Sequence, residues 1–175
     1  MDVFDQKAVL DSFRILVDTR EQDTARARRR YKSFGCPFER TTLNYGDYTY
    51  TATLPDGSSL VPSGTVSGLC VVERKMDLDE LAQCLTRSRA RFAREFERAA
   101  ANGSRVFLLV EDGSWEGIIA GRYKTRIHPN AFFSSLTAWM IRYNITIVFC
   151  KEETSGRMIR EILYRDLKER IENDN

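Results

Sequence analysis

The residues of this chain that could carry chemistry are acidic side chains at the ends of predicted strands. The stretch from Leu69 to Val72 is apolar and β-prone, which is typical of a buried strand, and Glu73-Arg74-Lys75 follows directly, with no turn residue between. Because side chains alternate along a strand, Glu73 and Lys75 should share one face and Arg74 should lie on the other. Burying unpaired charge is unfavourable, so this strand end predicts a functional cluster.

Further carboxylates end or follow other predicted strands, namely Asp18, Glu21 and Asp47. Mg²⁺ and Mn²⁺ prefer carboxylate oxygens, and one or two carboxylates with a substrate phosphate can hold such an ion. A bound ion would polarise the phosphate and lower the pKa of a water. Lys75 would then contact that water or the scissile phosphate, and Arg74 a phosphate oxygen. For each carboxylate taken singly, a helix cap or a surface ion pair is the alternative interpretation.

Other kinds of site have little support in the sequence. The single histidine, His128, is distant from these residues in the chain, and no motif supports a Ser-His-Asp triad. The four cysteines form no Cys-x-x-Cys pair, which favours buried free thiols in a reducing compartment over a zinc knuckle or a disulfide framework. With no membrane-length apolar run and no signal-peptide pattern at the start, we expect a soluble, cytoplasmic protein without a membrane partner.

The periodicity of apolar residues predicts the elements that must position these side chains. Strands are expected over 13–18, 37–43, 47–53, 69–75, 105–111 and 145–150, and helices over 22–34, 78–101, 114–119, 129–144 and 152–172. Early antiparallel strands followed by alternating helices and strands indicate an α/β or mixed α+β fold with a central sheet flanked by helices. At 175 residues we expect a single domain spanning 1–175.

Positive charge is clustered, although the formal net charge is only +2. Three groups stand out: Arg26, Arg28, Arg29, Arg30 and Lys32; Arg87, Arg89, Arg91, Arg94 and Arg98; and Arg122, Lys124 and Arg126. Such groups can bind phosphates, or they can simply form solvated surfaces. In the predicted helix 78–101, the arginine stripe lies opposite the apolar face and could flank a nucleic-acid path.

The order and spacing of these motifs resemble the XPF-type nuclease domain, also called the ERCC4 domain. Gly46-Asp47 followed by Glu73-Arg74-Lys75-x-x-x-Asp79 matches the signature Gly-Asp, a variable gap, and Glu-Arg-Lys-x-x-x-Asp. The stretch Val17-Asp18-Thr19-Arg20-Glu21 is similar to the upstream Val-Asp-x-Arg-Glu element, and Arg91-Phe92-x-x-Glu95 and Phe107–Glu111 are similar to the helix and strand that follow. The region 123–149 is similar to stand-alone members from phages and bacteria.

This resemblance implies a restriction-endonuclease-like core and Mg²⁺- or Mn²⁺-dependent hydrolysis of branched, flapped or forked DNA, in DNA repair or recombination. The implied catalytic residues are Asp18, Glu21, Asp47, Glu73, Arg74 and Lys75, with Asp18, Asp47 and Glu73 as metal ligands and Arg20 and Asp79 in support. The expected DNA-binding residues are Arg91, Arg122, Lys124 and Arg126. Two alternatives stay open: a non-catalytic module that binds branched DNA or a partner, and a junction resolvase or restriction-like nuclease.

The chain departs from the larger family members in one respect. Their C-terminal helix-hairpin-helix modules are not expected here, because no hairpin motif follows and the sequence ends at Asn175. A homodimer is a further hypothesis, since the helix 129–144 carries more apolar bulk than one buried face requires. Packing into the core is the alternative explanation of the same residues.

Overall fold

Six strands form the centre of the protein, and the computed structural model describes residues 3–173. The strands are β1 (Arg14–Asp18), β2 (Phe38–Thr41), β3 (Tyr48–Thr51), β4 (Val71–Lys75), β5 (Val106–Glu111) and β6 (Thr146–Cys150). The helices are α1 (Val3–Asp11), α2 (Ala25–Ser33), α3 (Leu78–Thr86), α4 (Arg89–Ala101), α5 (Trp115–Ile119), α6 (Pro129–Tyr143) and α7 (Glu152–Asn173), with one 3₁₀ turn at Pro62–Gly64.

The strands pair in the order β2-β1-β3-β4-β5-β6, so the sheet is mixed and the predicted central sheet flanked by helices is confirmed. β1 runs antiparallel to β3, and β3 antiparallel to β4, as the early antiparallel expectation required. β1 and β2 are instead parallel, because α2 provides the crossover connection that parallel neighbours need. β4, β5 and β6 are also parallel to one another.

Helices cover both faces of this sheet. α3, α4, α5 and α6 pack together on one face, which we call the α3–α4 face, whereas α2 and α7 pack on the opposite α2–α7 face with α1 against α7. Side chains confirm the assignment: the Tyr50 hydroxyl donates to Asp166 of α7 at 2.7 Å, and the ammonium of Lys75 lies 4.9 Å from the Phe92 ring centroid of α4. β5 is covered on both sides, which explains its unbroken apolar run.

Three predicted helix starts are confirmed by their caps. The carboxylate of Asp77 accepts from the Glu80 N–H at 2.8 Å, and the Ser114 hydroxyl accepts from the Gly117 N–H at 2.9 Å. His128 caps α6 through its Nδ1, with Pro129 in the first turn, so the histidine has a structural explanation.

The expected single helix over 78–101 is wrong, because the chain forms α3 and α4 with a break between them. Thr86 and Ser88 flank the break and are weak helix formers, and the Thr86 hydroxyl bonds back to the carbonyl four residues earlier at 3.0 Å. After the break, Phe92 of α4 packs against Trp139 of α6, with 5.4 Å between ring centroids. α1 was not anticipated by the sequence analysis.

The four cysteines, all in the described part of the chain, are free, and Cys70 is buried. Between residues 3 and 173 there is also no helix of the length and apolarity needed to cross a bilayer.

Candidate active site

The register of the sheet brings the predicted acidic residues to one face. Val17 of β1 pairs with Tyr48 of β3, and Tyr48 pairs with Val72 of β4, so these three side chains share the α2–α7 face. Their successors, Asp18 and Glu73, must therefore share the α3–α4 face. Asp47 adjoins them, because the Asp18 N–H donates to the Asp47 carbonyl at 2.8 Å and the Asp47 N–H to the Val72 carbonyl at 3.0 Å.

The turn before β3 fixes Asp47 beside β4, and its glycine is required there. Gly46 has a φ of +74°, and a Cβ on it would lie 3.0 Å from the Cβ of Val71. The chain can thus pass close to β4 only with glycine at this position. As a result, the Asp47 carboxylate accepts the Arg74 backbone N–H at 2.8 Å, which explains why Gly and Asp occur together.

Glu73 and Lys75 form a buried ion pair on the α3–α4 face, as their alternation predicted. The Lys75 Nζ donates to the Glu73 Oε1 at 2.6 Å, and each residue is 7% exposed. Burial raises the pKa of Glu73, although Lys75 opposes the rise. Burial alone would lower the pKa of Lys75, but the charges of Glu73 and Asp47 outweigh it and raise that pKa, so the amine is a stable ammonium.

Asp47 is the most perturbed carboxylate of the site. Burial and then the negative charge of Glu73 raise the pKa of Asp47 to about 7, although the Lys75 ammonium and the Arg74 N–H oppose the rise. The site therefore holds two adjacent carboxylates that a single ammonium does not fully compensate. Extra positive charge beside them would relieve the repulsion.

Asp47 and Glu73 are ligands of the kind that a hard divalent cation prefers, but together they form only part of a coordination sphere. Asp47 and Glu73 offer carboxylate oxygens with an excess of negative charge, which suits Mg²⁺ or Mn²⁺. Throughout residues 3–173, no three acidic, His or Cys side chains converge closely enough to form a complete metal site. The remaining positions would have to come from substrate phosphate and water, which is the usual arrangement for Mg²⁺.

Asp18 reaches the same face, but its carboxylate is engaged by Arg20. Arg20 donates three hydrogen bonds to it, from the backbone N–H at 2.6 Å, Nε at 2.8 Å and Nη2 at 2.7 Å. The backbone N–H of Leu43 adds a fourth at 3.0 Å. Burial would raise the pKa of Asp18, but these hydrogen bonds outweigh it and lower that pKa. Arg20 is thus a direct partner of Asp18, and would have to release it before Asp18 could bind a cation.

Arg74 and Glu21 lie on the opposite α2–α7 face, in a buried network of charges. The Arg74 Nε donates to the Glu21 Oε1 at 3.2 Å, and Nη1 donates to the Glu111 Oε2 at 3.4 Å. Arg30 completes the network, with bonds to Glu21 at 2.9 Å and to Glu111 at 3.0 Å. The structure therefore groups Glu21 with Arg74 and separates both side chains from the Glu73–Lys75 pair.

Asp79 and the predicted DNA-binding residues lie at the surface. The Asp79 carboxylate accepts hydrogen bonds from the loop 122–127, which carries the exposed Arg122, Lys124 and Arg126. Arg91 is exposed on α4. The structure brings three of the four predicted DNA-binding residues onto one loop, and sets Arg91 on a different element.

Glu95 is a further carboxylate near this site, and no role for it was predicted beyond its place in the Arg91-Phe92-x-x-Glu95 motif. It lies on α4 with its side chain 18% exposed, lines a narrow pocket with Glu73, and its charge contributes to the raised pKa of Glu73. The available signal was its position between Phe92 and Phe96, which puts a glutamate beside the core-facing side of a helix.

Comparison with known proteins identifies the fold. A protein-family model described as the ERCC4 domain matches residues 17–162. The solved structure of XPF from Aeropyrum pernix is similar, with a TM-score of 0.59 and 23% identity over 86% of this chain and 59% of that chain. XPF from Aeropyrum pernix in complex with DNA is also similar, with a TM-score of 0.60 and 21% identity over 89% of this chain and 65% of that one.

The chain thus spans less than two thirds of the length of these two structures. No curated protein matches the sequence. The likeness confirms the predicted XPF-type nuclease fold, a restriction-endonuclease-like core with a mixed sheet between helices.

Proposed function

This chain belongs to the ERCC4-domain family, and on that premise we propose that it is a metal-dependent DNA endonuclease that hydrolyses phosphodiester bonds in branched, flapped or forked DNA. Family membership alone supports a coarser description, a structure-specific DNA nuclease or a DNA-binding module built on the nuclease fold. The observation that carries the finer proposal is the Asp47–Glu73–Lys75 cluster. Its two carboxylates carry more negative charge than its one ammonium balances, on the face opposite the Arg74 network.

Each residue of the cluster has a role in this proposal. Asp47 and Glu73 would hold Mg²⁺ or Mn²⁺, which when bound would polarise the scissile phosphate and lower the pKa of the attacking water. Asp18 joins them as a ligand once Arg20 releases it. The Lys75 ammonium, already fixed by Glu73, neutralises charge on the phosphate and orients the water. Arg74 and Glu21 support cleavage from the other face by holding the end of β4 in position.

The proposal is tested by a panel of labelled flap, fork, junction, single-stranded and duplex DNAs incubated with Mg²⁺, Mn²⁺ or EDTA. We expect cleavage only with a divalent ion and only of some structures. Asp47→Asn should lower the cleavage rate by about 10³-fold, because several kcal/mol of transition-state stabilisation are lost at about 1.4 kcal/mol per factor of ten. Undiminished turnover by a clean Asp47→Asn preparation, or cleavage in EDTA, would exclude this site.

A second candidate is a DNA-binding module without catalysis. It is favoured by the engagement of Asp18 with Arg20, which leaves two acidic residues rather than three ready to bind a cation. This candidate predicts salt-sensitive binding to the same DNAs with no cutting under any metal. The panel also distinguishes the two related nucleases. A junction resolvase would cut only the four-way junction, and a restriction-like nuclease would cut only plain duplex.

We propose DNA as the main partner, and a homodimer through α6 as a further hypothesis. Of the apolar residues that suggested a dimer, Phe132, Leu136 and Trp139 are buried in the core and Met140 packs partly against it, whereas Phe133 is 38% exposed. Core packing therefore explains the larger part of this apolar surface. Light scattering at micromolar concentration tests for the dimer directly, and a monomeric mass would exclude this hypothesis.

A further inference from the structure

The loop 122–127, between α5 and α6, has a regular alternation of exposed and anchored residues. Arg122, Lys124 and Arg126 are exposed, whereas the residues between them are half-buried. Tyr123 is one anchor, because its hydroxyl donates to the carbonyl of Ile127 at 3.0 Å and its ring lies edge-on against Phe132. The loop thus holds three cationic side chains outward on a backbone that is fixed from within.

Asp79 supplies the second anchor of the loop. Its Oδ1 accepts from the backbone N–H of Lys124 at 2.7 Å, the backbone N–H of Thr125 at 2.9 Å and the Thr125 hydroxyl at 3.0 Å. Burial would slightly raise the pKa of Asp79, but these hydrogen bonds and the charge of Lys124 lower it, so the carboxylate is ionised at neutral pH. One acidic side chain on α3 therefore fixes the centre of a basic loop.

An open groove of about 730 Å³ runs between this loop and the exposed side of α3. Lys124 and Arg126 line one side of the groove, and Arg87 lines the other. None of the three forms a salt bridge with any residue in the described part of the chain. Asp77 and Asp79 also line the groove, but Asp77 caps α3 and Asp79 binds the loop. The groove thus has cations free to bind an external anion and carboxylates that are already engaged.

The arginines of α2 provide a contrast within the same chain. Arg26, Arg28, Arg29 and Arg30 all form salt bridges with carboxylates of the protein. Their clustering in sequence is therefore explained by internal pairing. Among residues 3–173 the cations of the 122–127 loop form no salt bridge, and only Lys124 interacts with a carboxylate through its charge, that of Asp79, although the two clusters look alike in the sequence.

The groove also lies beside the proposed active site. It begins at Asp77, two residues after Lys75, and the first turn of α3 connects the two regions. On that turn Asp79 contacts the loop, while the carboxylate of its neighbour Glu80 lies 4.0 Å from the Lys75 Nζ. A nucleic-acid strand lying in the groove would thus come within about one helical turn of the catalytic ammonium.

We propose that the groove between α3 and the loop 122–127 binds backbone phosphates of the DNA that the enzyme cuts, and that Asp79 is the positioning residue that holds the loop for this contact. The inference rests on the proposed function, because it takes DNA as the ligand. It assigns Asp79 to the groove, whereas the resemblance implied only a supporting position beside the catalytic residues.

The test measures binding of a fluorescein-labelled forked DNA by anisotropy in EDTA, as a function of salt, so that no cleavage is needed. Asp79→Ala and Asp79→Asn remove the same charge, but only the asparagine keeps an oxygen that can accept from the loop. We expect Asp79→Ala to reduce the magnitude of the slope of log K, the DNA association constant, against log salt by about 1. Asp79→Asn should keep the wild-type slope. The double variant Lys124→Ala/Arg126→Ala should lower it by about 1.5, since each phosphate contact contributes about 0.7–0.9.

Arg28→Ala is the matched control, because it removes an arginine that is also exposed but is internally paired, and it should leave the slope unchanged. Equal slopes for the two Asp79 variants would overturn the positioning role. An unchanged slope in the Lys124/Arg126 double variant, whose exposed substitutions do not threaten folding, would overturn the groove itself. Failure of the wild type to cleave any DNA with Mg²⁺ would refute the nuclease proposal and leave these binding measurements valid, so the two failures are distinguishable.

Discussion

The proposed metal site should make the protein less stable in the absence of metal, and Asp47→Asn exposes this effect. Asp47 lies beside Glu73 with a pKa raised from 3.8 to about 7. At about 1.4 kcal/mol for each pKa unit, this rise corresponds to about 4 kcal/mol as an upper bound. Asp47 keeps some exposure to solvent, so solvent screening reduces the expected value to about 2 kcal/mol.

The sign of the effect follows from proton binding. The folded pKa of Asp47 is above the unfolded one, so the folded protein binds more protons and loses stability as pH rises from about 4 to about 7. Asn has no such titration and can still accept the Arg74 N–H. In EDTA at pH 8, Asp47→Asn should therefore be about 2 kcal/mol more stable than the wild type, with little difference at pH 4. For a chain of this size the melting temperature should rise by about 4–8 °C.

Urea unfolding at pH 4, 6 and 8 measures this, and unchanged m values show that the variants unfold alike. Asp23→Asn is the control, because Asp23 is an exposed aspartate paired with a surface arginine and should change stability little at any pH. Added Mg²⁺ should then stabilise the wild type and not Asp47→Asn, since a ligand stabilises only the state that binds it. A variant that is equally destabilised at pH 4 and pH 8 would refute the reasoning.

Two further substitutions test the parts of the structure that support the site. Gly46→Ala should lower the free energy of unfolding by about 1–2 kcal/mol because of its positive φ, and by more because of the contact with Val71. Gly57 has a φ of +81° with open space around it, so Gly57→Ala should lose only the backbone contribution. Thermal melts of both variants measure the difference, and equal losses would contradict the close approach of Gly46 to β4. Glu111→Gln should cost about 3–5 kcal/mol at pH 7, because it leaves buried arginines such as Arg30 uncompensated. Burial raises the pKa of Glu111, but its hydrogen bonds and the arginine charges outweigh this and lower it, so its stabilisation is complete above pH 4.5 and is lost as pH falls through the folded pKa. In urea unfolding, the difference in stability between the wild type and Glu111→Gln should become smaller below about pH 4.5. A difference of less than about 1 kcal/mol at pH 7 would contradict a stabilising role of the buried network.

The sequence predicted the part of the site that depends on strand alternation. Glu73 and Lys75 were expected on one face and Arg74 on the other, because a period of two is a property of the strand itself and needs no tertiary information. The Gly46-Asp47 pair was identified through its resemblance to the family motif, and the structure explains the glycine, because its φ is positive and a Cβ there would crowd Val71. Helix starts also depend on local signals, and α3, α5 and α6 begin within one residue of the predicted positions.

The sequence could not predict where the chain goes after an element ends. Glu21 follows β1 by three residues, and its N–H donates to the Asp18 carbonyl at 3.1 Å, so the chain turns and its carboxylate accepts from Arg30 and Arg74 on the α2–α7 face. No periodicity encodes the direction of such a turn. The break between α3 and α4 was not predicted for a related reason. The apolar spacing continues through the break, whereas packing of Phe92 against Trp139 requires the helix axis to change direction.

The two faces of β4 divide support from chemistry between neighbouring residues. Arg74 is bonded to Glu21 and Glu111 on the α2–α7 face, and its backbone N–H holds the carboxylate of Asp47 on the other. An arginine fixed by two buried carboxylates cannot move without breaking both ion pairs, which keeps the backbone at this point rigid. A requirement for Arg74 in cleavage therefore needs no contact between its guanidinium and the substrate, because displacing its N–H would displace Asp47.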